Sequence, residues 1–367
     1  MKAKPLDDIR VLDFSTLLPG PLATLYLVQA GAEVIKIERP GGGDPIRNYP
    51  PFQKGKSILF ELLNGGKCSV AVDLKNPTEH CHLLELVSSI DVVIEQFRPG
   101  VMERLKLDFD SLKKIKPDLI YCSISGYGQF GSRSQIVGHD LNYQAWSGLL
   151  ALAGDYEGHR IVPALIADIA GGTHPAVINI LLALRHRERT GNGCYLDIAM
   201  TDGLFPFMLS ALANWVEGND APGAGADLLT GGSPRYQLYP TADRQHLAAA
   251  PLEEHFWQRF TELIELPKDL RSQEADTYIV CQTIKHIISE KSAAYWEALF
   301  DGEDTCCTVV RNLTDVLLDP DVQVRQRVVS GQTTAIDLLA IPRDPISASA
   351  PSIGQHNFRF GFLEPDH

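Results

Sequence analysis

Apolar and polar positions in the first half of the chain predict strands separated by helices. The run IRVLDFS is typical of a buried strand, PGPLATLYLVQAG of a helix that opens with proline and closes at Gly31, and AEVIKIERP of a second strand. Further strand candidates are KCSVAVDLK, DVVIEQF and LIYCSISGYG, with helical patterns in TEHCHLLELVSS and FDSLKKIKP between them. This alternation predicts an α/β fold with a Rossmann-like, doubly wound parallel sheet.

The pattern changes near residue 200, which predicts a second folding unit. The helical stretches THPAVINILLALRHRERTG and DGLFPFMLSALANWVEG lead into a glycine-rich loop, DAPGAGADLLTGGSP, and the tail is rich in proline and serine. We expect residues 1–200 to form the large domain and 201–228 a helical linker. A small α+β domain is expected over 229–312, and a linker and tail that return to the large domain over 313–367.

Composition narrows the class of protein. The chain has 367 residues, 44% hydrophobic and 22% charged, which predicts a globular protein of about two domains. The formal net charge of -13 argues against a nucleic-acid partner, although a few local cations can still bind an anionic ligand. We expect a cytoplasmic protein without a membrane segment, because no secretory signal or long uncharged apolar run appears. Seven scattered cysteines predict reduced thiols and no zinc site.

The loop after LIYCSISGYG carries the first candidate site. His139 and Asp140 stand there at the predicted start of a helix, and loops at the carboxyl ends of parallel strands commonly hold ligands. The more cautious interpretation is that Asp140 caps the helix and His139 is an exposed loop residue.

Three further acidic residues, at two places in the chain, are candidates for the site. Asp168 lies among small apolar residues before a long apolar helix, where desolvation would raise its pKa toward the range useful for proton transfer. An N-cap role without chemistry accounts for Asp168 equally well. Glu253 and Glu254 open a later helix, where the helix dipole favours glutamates whatever their function.

Candidate phosphate ligands are the cations that follow strands or lie in loops, although most exposed cations only solubilise a protein. These are Arg39, Lys54, Lys56, Lys75 and Arg98. The GGG run at 41–43 matches neither a Walker loop nor a full GxGxxG motif, which argues against ATP hydrolysis and NAD binding.

Several separated segments, all in one order, resemble the family III CoA transferases, also called the CaiB/BaiF family. They are VLDFSTLLPGPLATLYLVQAGAEVIKIERPGGGDPIR, VAVDLKNP, EQFRPGVMERL and LIYCSISGYGQFG, and the similarity covers nearly the whole chain. Within the family, GHDLNY, ADIAGG, GGSPRYQLY, APLEEHFW and DGEDTCCTVV are most similar to the 2-methylacyl-CoA racemases. Gln144 and Ala145 instead resemble the corresponding residues of the transferase branches. At the position of His139, however, those transferases usually carry a tyrosine, which this chain lacks.

The resemblance implies a set of site residues. The racemases' histidine falls on His139, their aspartate on Asp168 and their supporting glutamate on Glu253, and the backbone N–H of Asp140 would face an enolate. No metal, flavin or nicotinamide is implied, since coenzyme A arrives as part of the thioester substrate. The positions expected to bind CoA are Arg39, Leu74, Lys75, Arg98, Gly126, Tyr127 and Tyr143.

Three functions remain open at this level. A racemase would use His139 and Asp168 on opposite faces of one α carbon, with Glu253 orienting His139. A CoA transferase would use Asp168 as a nucleophile that forms an acyl anhydride and then a CoA thioester. A non-enzymatic acyl-CoA-binding protein would need neither chemistry. The resemblance also implies an interlocked homodimer, with each chain passing through the ring made by its partner's domains.

Overall fold

The computed structural model describes residues 4–155, 158–325, 328–329, 335–340 and 349–362. The chain divides into two compact units. Unit 1 comprises Met1–Ser147, Ala164–Leu204 and Asp321–His367, and unit 2 comprises Gly148–Pro163 and Phe205–Pro320.

A six-stranded sheet forms the centre of unit 1. Its strands are β1 (Arg10–Asp13), β2 (Glu33–Glu38), β3 (Cys68–Ala71), β4 (Val92–Glu95), β5 (Ile120–Ser125) and β6 (Cys194–Ala199). Neighbours pair in the order β6-β5-β4-β1-β2-β3, and every pair is parallel. The predicted Rossmann-like sheet is therefore confirmed. Strand β6 was not predicted, although its sequence CYLDIA is apolar except for Asp197; in the structure only its last two residues are buried.

The α-helices are numbered in chain order. They are α1 (Pro19–Gln29), α2 (Ile58–Asn64), α3 (Pro77–Val87), α4 (Val101–Arg104), α5 (Phe109–Leu112), α6 (Asp140–Ser147), α7 (Leu149–Leu152), α8 (His174–Thr190), α9 (Leu209–Glu217), α10 (Glu254–Leu263), α11 (Thr277–Ser289), α12 (Ala293–Phe300), α13 (Leu313–Leu318) and α14 (Pro320–Arg325). A π-helix, Ala167–Thr173, runs directly into α8. Short 3-10 helices lie at Pro45–Asn48, Asp202–Met208, Leu228–Thr230, Lys268–Leu270 and Phe358–Phe360.

Helices cover both faces of the sheet, as the near-complete burial of its inner strands requires. On one face Leu83 of α3 and Leu112 of α5 are fully buried against the strands. On the other face Leu25 of α1 packs with Phe60 of α2. After β1, the strands β2 and β3 are added on one side of it. The next strand, β4, then pairs with the other side of β1. The carboxyl ends of β1 and β4 therefore flank the point where the strand order reverses, the usual ligand position in such sheets.

Unit 2 is an α+β unit with its own core. Its antiparallel sheet contains β7 (Gln237–Pro240), β8 (His246–Ala249) and β9 (Cys307–Val309), in the order β7-β8-β9. Helices α10, α11 and α12 pack on it around the buried side chains of Trp257, Phe260, Ile284 and Trp296.

The boundary between the units differs from the expected one. Residues 148–163 group with unit 2, and residues 205–228 belong to it rather than forming a separate linker. Gly148 adopts a left-handed φ of 93° directly after α6, where the chain leaves unit 1. A hydrogen bond joins residues 148–163 to the rest of unit 2: the N–H of Gly225 donates to the carbonyl of Leu152 at 3.4 Å. Such a long-range contact leaves no local signature in the sequence.

One helical stretch has the length and composition of a membrane span, which the sequence analysis did not anticipate. Ala167–Thr190 spans 24 residues, and 44% of its most apolar window is buried. The core helices of soluble proteins can meet the same two criteria, so this stretch is weak evidence for a membrane segment.

Candidate active site

A cavity of about 520 Å³ opens at the carboxyl edge of the sheet in unit 1. Its walls come from the loops that follow β1, β4 and β5, from the start of α6 and from the π-helix. Its lining includes Thr16, Leu17, Gln96, Phe97, Arg98, Gly126, His139, Asn142, Tyr143, Asp168 and Met200. The cavity therefore occupies the position at which the strand order reverses, and it brings together the two residues singled out for proton transfer.

Two hydrogen bonds fix the backbone of His139, and neither of them involves its imidazole. Its N–H donates to Oδ1 of Asn142 at 3.0 Å, and its carbonyl accepts from the N–H of Asn142 at 2.8 Å. This reciprocal pair resembles a capping box and fixes the entry into α6. The imidazole itself is exposed and lines the cavity.

Asp168 lies in the first turn of the π-helix. The capping position is occupied by Ile166, which makes no side-chain capping bond, so the N-cap interpretation of Asp168 is wrong. π-Helical turns are rare and occur frequently at functional sites. Burial raises the pKa of Asp168 to about 7, and the neighbouring carboxyl of Asp140 adds to the rise. A carboxyl group with such a pKa can both give and accept a proton near neutrality.

Asp140 is buried and is not among the residues that line the cavity. It is only 6% exposed, and its Oδ1 accepts the backbone N–H of Asp168 at 2.9 Å. Its Oδ2 accepts a short hydrogen bond from the side chain of Gln144. The side chain therefore ties α6 to the π-helix instead of capping α6. Within the described part of the chain, the backbone N–H of Asp140 makes no hydrogen bond, which leaves it available to a ligand.

Tyr143 of α6 lines the cavity and packs against the loop that follows β5. Its hydroxyl donates to the carbonyl of Gly138 at 2.5 Å. A Cβ atom at Gly126 would lie 2.3 Å from its ring, so glycine is required there for the ring to fit. Tyr127 packs edge-on against Tyr143, with centroids 5.3 Å apart, and lies outside the lining of the cavity. Tyr127 therefore supports the position of Tyr143, and its contact with CoA stays a prediction.

The turn after β1 is fixed by buried charges. Leu17 adopts a left-handed φ of 63°, which is costly for a leucine, and its N–H donates to Oδ1 of Asp44 at 3.1 Å. The buried ammonium of Lys36 pairs with Oδ2 of Asp44 at 2.9 Å and donates to the carbonyl of Ser15 at 2.7 Å. Strained backbone of this kind clusters at functional sites.

A second cavity, of about 270 Å³, lies beyond the ends of β2 and β3. Its lining includes Arg39, Leu74 and Lys75, three of the predicted CoA positions, and both cations are exposed. Thr16 and Phe97 line this cavity and the first one, so the two are adjacent. A ligand with an anionic end and a reactive end several bonds away could occupy both.

The remaining predicted residues are divided between the units. Arg98 is exposed and lines the first cavity, together with Gly126 and Tyr143. Glu253 belongs to unit 2, where it precedes α10 with an exposed side chain that makes no capping bond. Its role as the partner of His139 stays a prediction.

Sequence analysis missed several residues of the two cavities. Thr16, Leu17 and Phe97 follow the ends of β1 and β4, so the rule that selected the loop after β5 would have found them too. Gln144 was noted only for its resemblance to the transferase branches. In the described part of the chain no group of three or more His, Cys, Asp or Glu side chains could hold a metal ion, and all seven cysteines are free thiols.

Comparison with known proteins identifies relatives along the whole chain. The sequence model of CoA-transferase family III matches residues 6–357. Human alpha-methylacyl-CoA racemase is 33% identical over 96% of this chain and 91% of its own length. Acetyl-CoA:oxalate CoA-transferase of Acetobacter aceti is also 33% identical, over 80% of this chain and 77% of its own length. The crystal structure of a CaiB/BaiF family protein from Brucella suis is 25% identical, with a TM-score of 0.85 over 98% of this chain and 99% of that chain.

Proposed function

The chain belongs to CoA-transferase family III and acts on acyl-CoA thioesters, and from this premise we propose that it epimerises the α carbon of a 2-methylacyl-CoA. One observation carries the proposal. An imidazole, His139, and a carboxyl group with a pKa of about 7, Asp168, line the same cavity. An epimerase needs two acid–base groups that can each hold or release a proton at the same pH.

In the proposed reaction one group takes the α proton and the other returns a proton to the opposite face. For one epimer His139 removes the proton and neutral Asp168 supplies one. For the other epimer ionised Asp168 removes the proton and protonated His139 supplies one. The thioester oxygen, on which negative charge develops, would accept a hydrogen bond from the backbone N–H of Asp140. Such a donor typically stabilises a transition state by about 3 to 4 kcal/mol.

The CoA moiety would extend from the first cavity into the second. Arg39 and Lys75 are suited to its phosphates, because charge-assisted bonds to phosphate are stronger than neutral ones. Thr16 and Phe97, which line both cavities, would lie along the chain that links nucleotide and thioester.

The test is solvent exchange. Single epimers of several 2-methylacyl-CoA thioesters are incubated with the protein in deuterated water, and deuterium at the α carbon is followed by mass spectrometry. We expect exchange together with conversion toward the epimeric mixture. Absence of exchange across the panel would overturn the proposal.

CoA transfer is the second candidate, favoured by the A. aceti relative at the same identity and by Gln144–Ala145. Ionised Asp168 would attack the thioester carbonyl and release CoA as a thiolate. The thiolate would then attack the aspartyl carbonyl of the anhydride, releasing the first carboxylate and leaving CoA on Asp168 for a second acid. Transfer of CoA to a free carboxylic acid, with a hydroxylamine-sensitive adduct on Asp168, would identify this reaction.

The pH dependence separates the two candidates. Proton transfer in either direction needs one proton shared between His139 and Asp168, so kcat/KM should follow a bell that peaks near pH ~7 and is the same for both epimers. The activity falls at low pH because both groups are protonated and at high pH because neither is. A transferase needs only ionised Asp168, so its rate should rise through pH ~7 and then stay level. The check is kcat/KM for each epimer across this range.

Removal of the phosphate-binding cations should weaken binding without slowing the chemical step. We expect Arg39→Ala and Lys75→Ala each to raise KM about tenfold at unchanged kcat, as the loss of one charge-assisted bond implies. The effect should vanish with a pantetheine thioester, which lacks the nucleotide. Lys54→Ala is the matched control, since Lys54 lines neither cavity. Equal effects of all three variants would contradict the placement of CoA.

The interlocked homodimer and the cytoplasmic location stay predictions. Exposed apolar side chains support an association between copies, among them Leu182 of α8 in unit 1 and Trp215 of α9 in unit 2. Exposed apolar residues on a helix face commonly mark such a contact.

A further inference from the structure

Gln144 is a buried side chain with no assigned role, next to the proposed catalytic pair. It is 1% exposed and lies one turn after Asp140 on α6. Its Nε2 donates to Oδ2 of Asp140 and approaches the carbonyl of Ala164 at 3.5 Å. Its Oε1 is buried and has no partner among the described residues. The opposite orientation of the amide would place this oxygen against a carboxylate and a carbonyl, so the orientation is determined by two acceptors.

The hydrogen bond from Gln144 satisfies the second carboxylate oxygen of Asp140. Its carboxylate is buried without a cation beside it in the described part of the chain, and its two oxygens are satisfied by one backbone N–H and one side-chain amide. Hydrogen bonds to the charged form stabilise that form. Of the two neighbouring carboxyl groups, Asp140 is therefore the one suited to keep the charge, and Asp168, which accepts no hydrogen bond there, is suited to keep the proton.

We infer that Gln144 is a positioning residue, which holds the carboxylate of Asp140 against the π-helix so that Asp168 stays aimed into the cavity and keeps its proton up to near-neutral pH. The inference rests on the proposed function only for its effect on catalysis. The other titratable or charged groups that line the cavity around Asp168 are His139, Tyr143 and Arg98. Among the described residues, the side chain of Gln144 hydrogen-bonds to none of the three.

The consequence of losing the amide follows from the pair of carboxyl groups. Without the donor, the charge on Asp140 is destabilised, and the single negative charge moves to the more exposed Asp168. Asp168 then ionises at lower pH, because its neighbour is neutral. The bell-shaped pH profile of kcat/KM should therefore move toward lower pH. The KM for the thioester should change little, because Gln144 does not line either cavity.

The test combines a kinetic measurement with one that needs no turnover. Gln144→Leu keeps the bulk of the side chain and removes the donor. We expect its pH profile to shift to lower pH, with kcat/KM near neutrality reduced about three- to fivefold. In parallel, modification of Asp168 by a carbodiimide and an amine is followed by mass spectrometry across pH, and its midpoint should fall by about one pH unit.

Two further variants make the outcome decisive. Gln144→Glu can donate to Asp140 only while protonated, so it should retain activity at low pH and lose it as pH rises. Gln29→Leu is the matched control, because Gln29 is 4% exposed, bonds to the carbonyl of Ile336 at 2.7 Å and lies outside both cavities. It should leave the labelling midpoint unchanged. An unshifted midpoint in Gln144→Leu would overturn the inference even if epimerisation is confirmed, and a shifted midpoint would support it even if the reaction proves to be transfer.

Discussion

His139→Ala should abolish epimerisation but preserve hydrogen exchange in one epimer. With the imidazole gone, ionised Asp168 can still remove the α proton that faces it and return a deuteron to the same face, so this epimer exchanges without inversion. The opposite epimer has no base on its side and should not exchange. Loss of one acid–base group typically lowers the rate about 10²- to 10⁴-fold. The measurement is deuterium content and configuration for each epimer separately.

Asn142→Ala provides a control for this variant, since it removes the bond to the N–H of His139 without removing the imidazole. It should slow both epimers alike. Equal loss of exchange in both epimers of His139→Ala would mean that the two groups do not act on opposite faces.

Asp168→Asn should give the mirror result and a more stable protein. Exchange should persist only in the epimer that faces His139, and epimerisation should be lost. The pKa of Asp168 in the folded state, about 7, lies above its usual 3.8 because of burial and then Asp140. The folded state is therefore penalised as pH rises from about 4 to about 7, and fully penalised above that range. At pH ~8 the variant should gain roughly 1 to 3 kcal/mol in the free energy of unfolding, a figure lowered for partial exposure of the group.

The stability difference should be small at pH ~4 and should widen toward pH ~7, as measured by denaturant unfolding at several pH values. A variant that is destabilised at pH ~8 would contradict the burial-raised pKa. The backbone bond from residue 168 to Asp140 survives the substitution, so a loss of stability could not be ascribed to that contact.

Local patterns in the sequence predicted the scaffold well, because burial on both faces leaves a strong signal. The strands β1 to β5 are buried over nearly their whole length, and α1 has proline at its start and a glycine after its end. Strand β6 lies at the sheet edge and is only partly buried, and the exposed Asp197 interrupts its apolar run. The assignment of residues 148–163 to unit 2 depends on contacts with residues about seventy positions later in the chain, and no local sequence pattern reveals such contacts.

The candidate site was predictable only in part. Residue type and position after a strand pointed to His139, but its proximity to Asp168 came from the resemblance to known racemases, because the two belong to different elements. The sequence also could not distinguish capping from a tertiary contact at Asp140, where the decisive bond is to the N–H of Asp168. Gln144 has no distinguishing local pattern, and its importance depends on burial beside a carboxylate.

The most direct test of two groups acting on one carbon is the position of the first deuterium incorporated. Each epimer is incubated separately with the unmodified protein in deuterated water, and both epimers are isolated at low conversion. Since the acceptor group holds the abstracted proton while the donor group supplies one from solvent, we predict deuterium in the product epimer and protium in the recovered substrate. Equal deuterium in both epimers from the earliest times would indicate one base acting alone, and would contradict the pairing of His139 with Asp168.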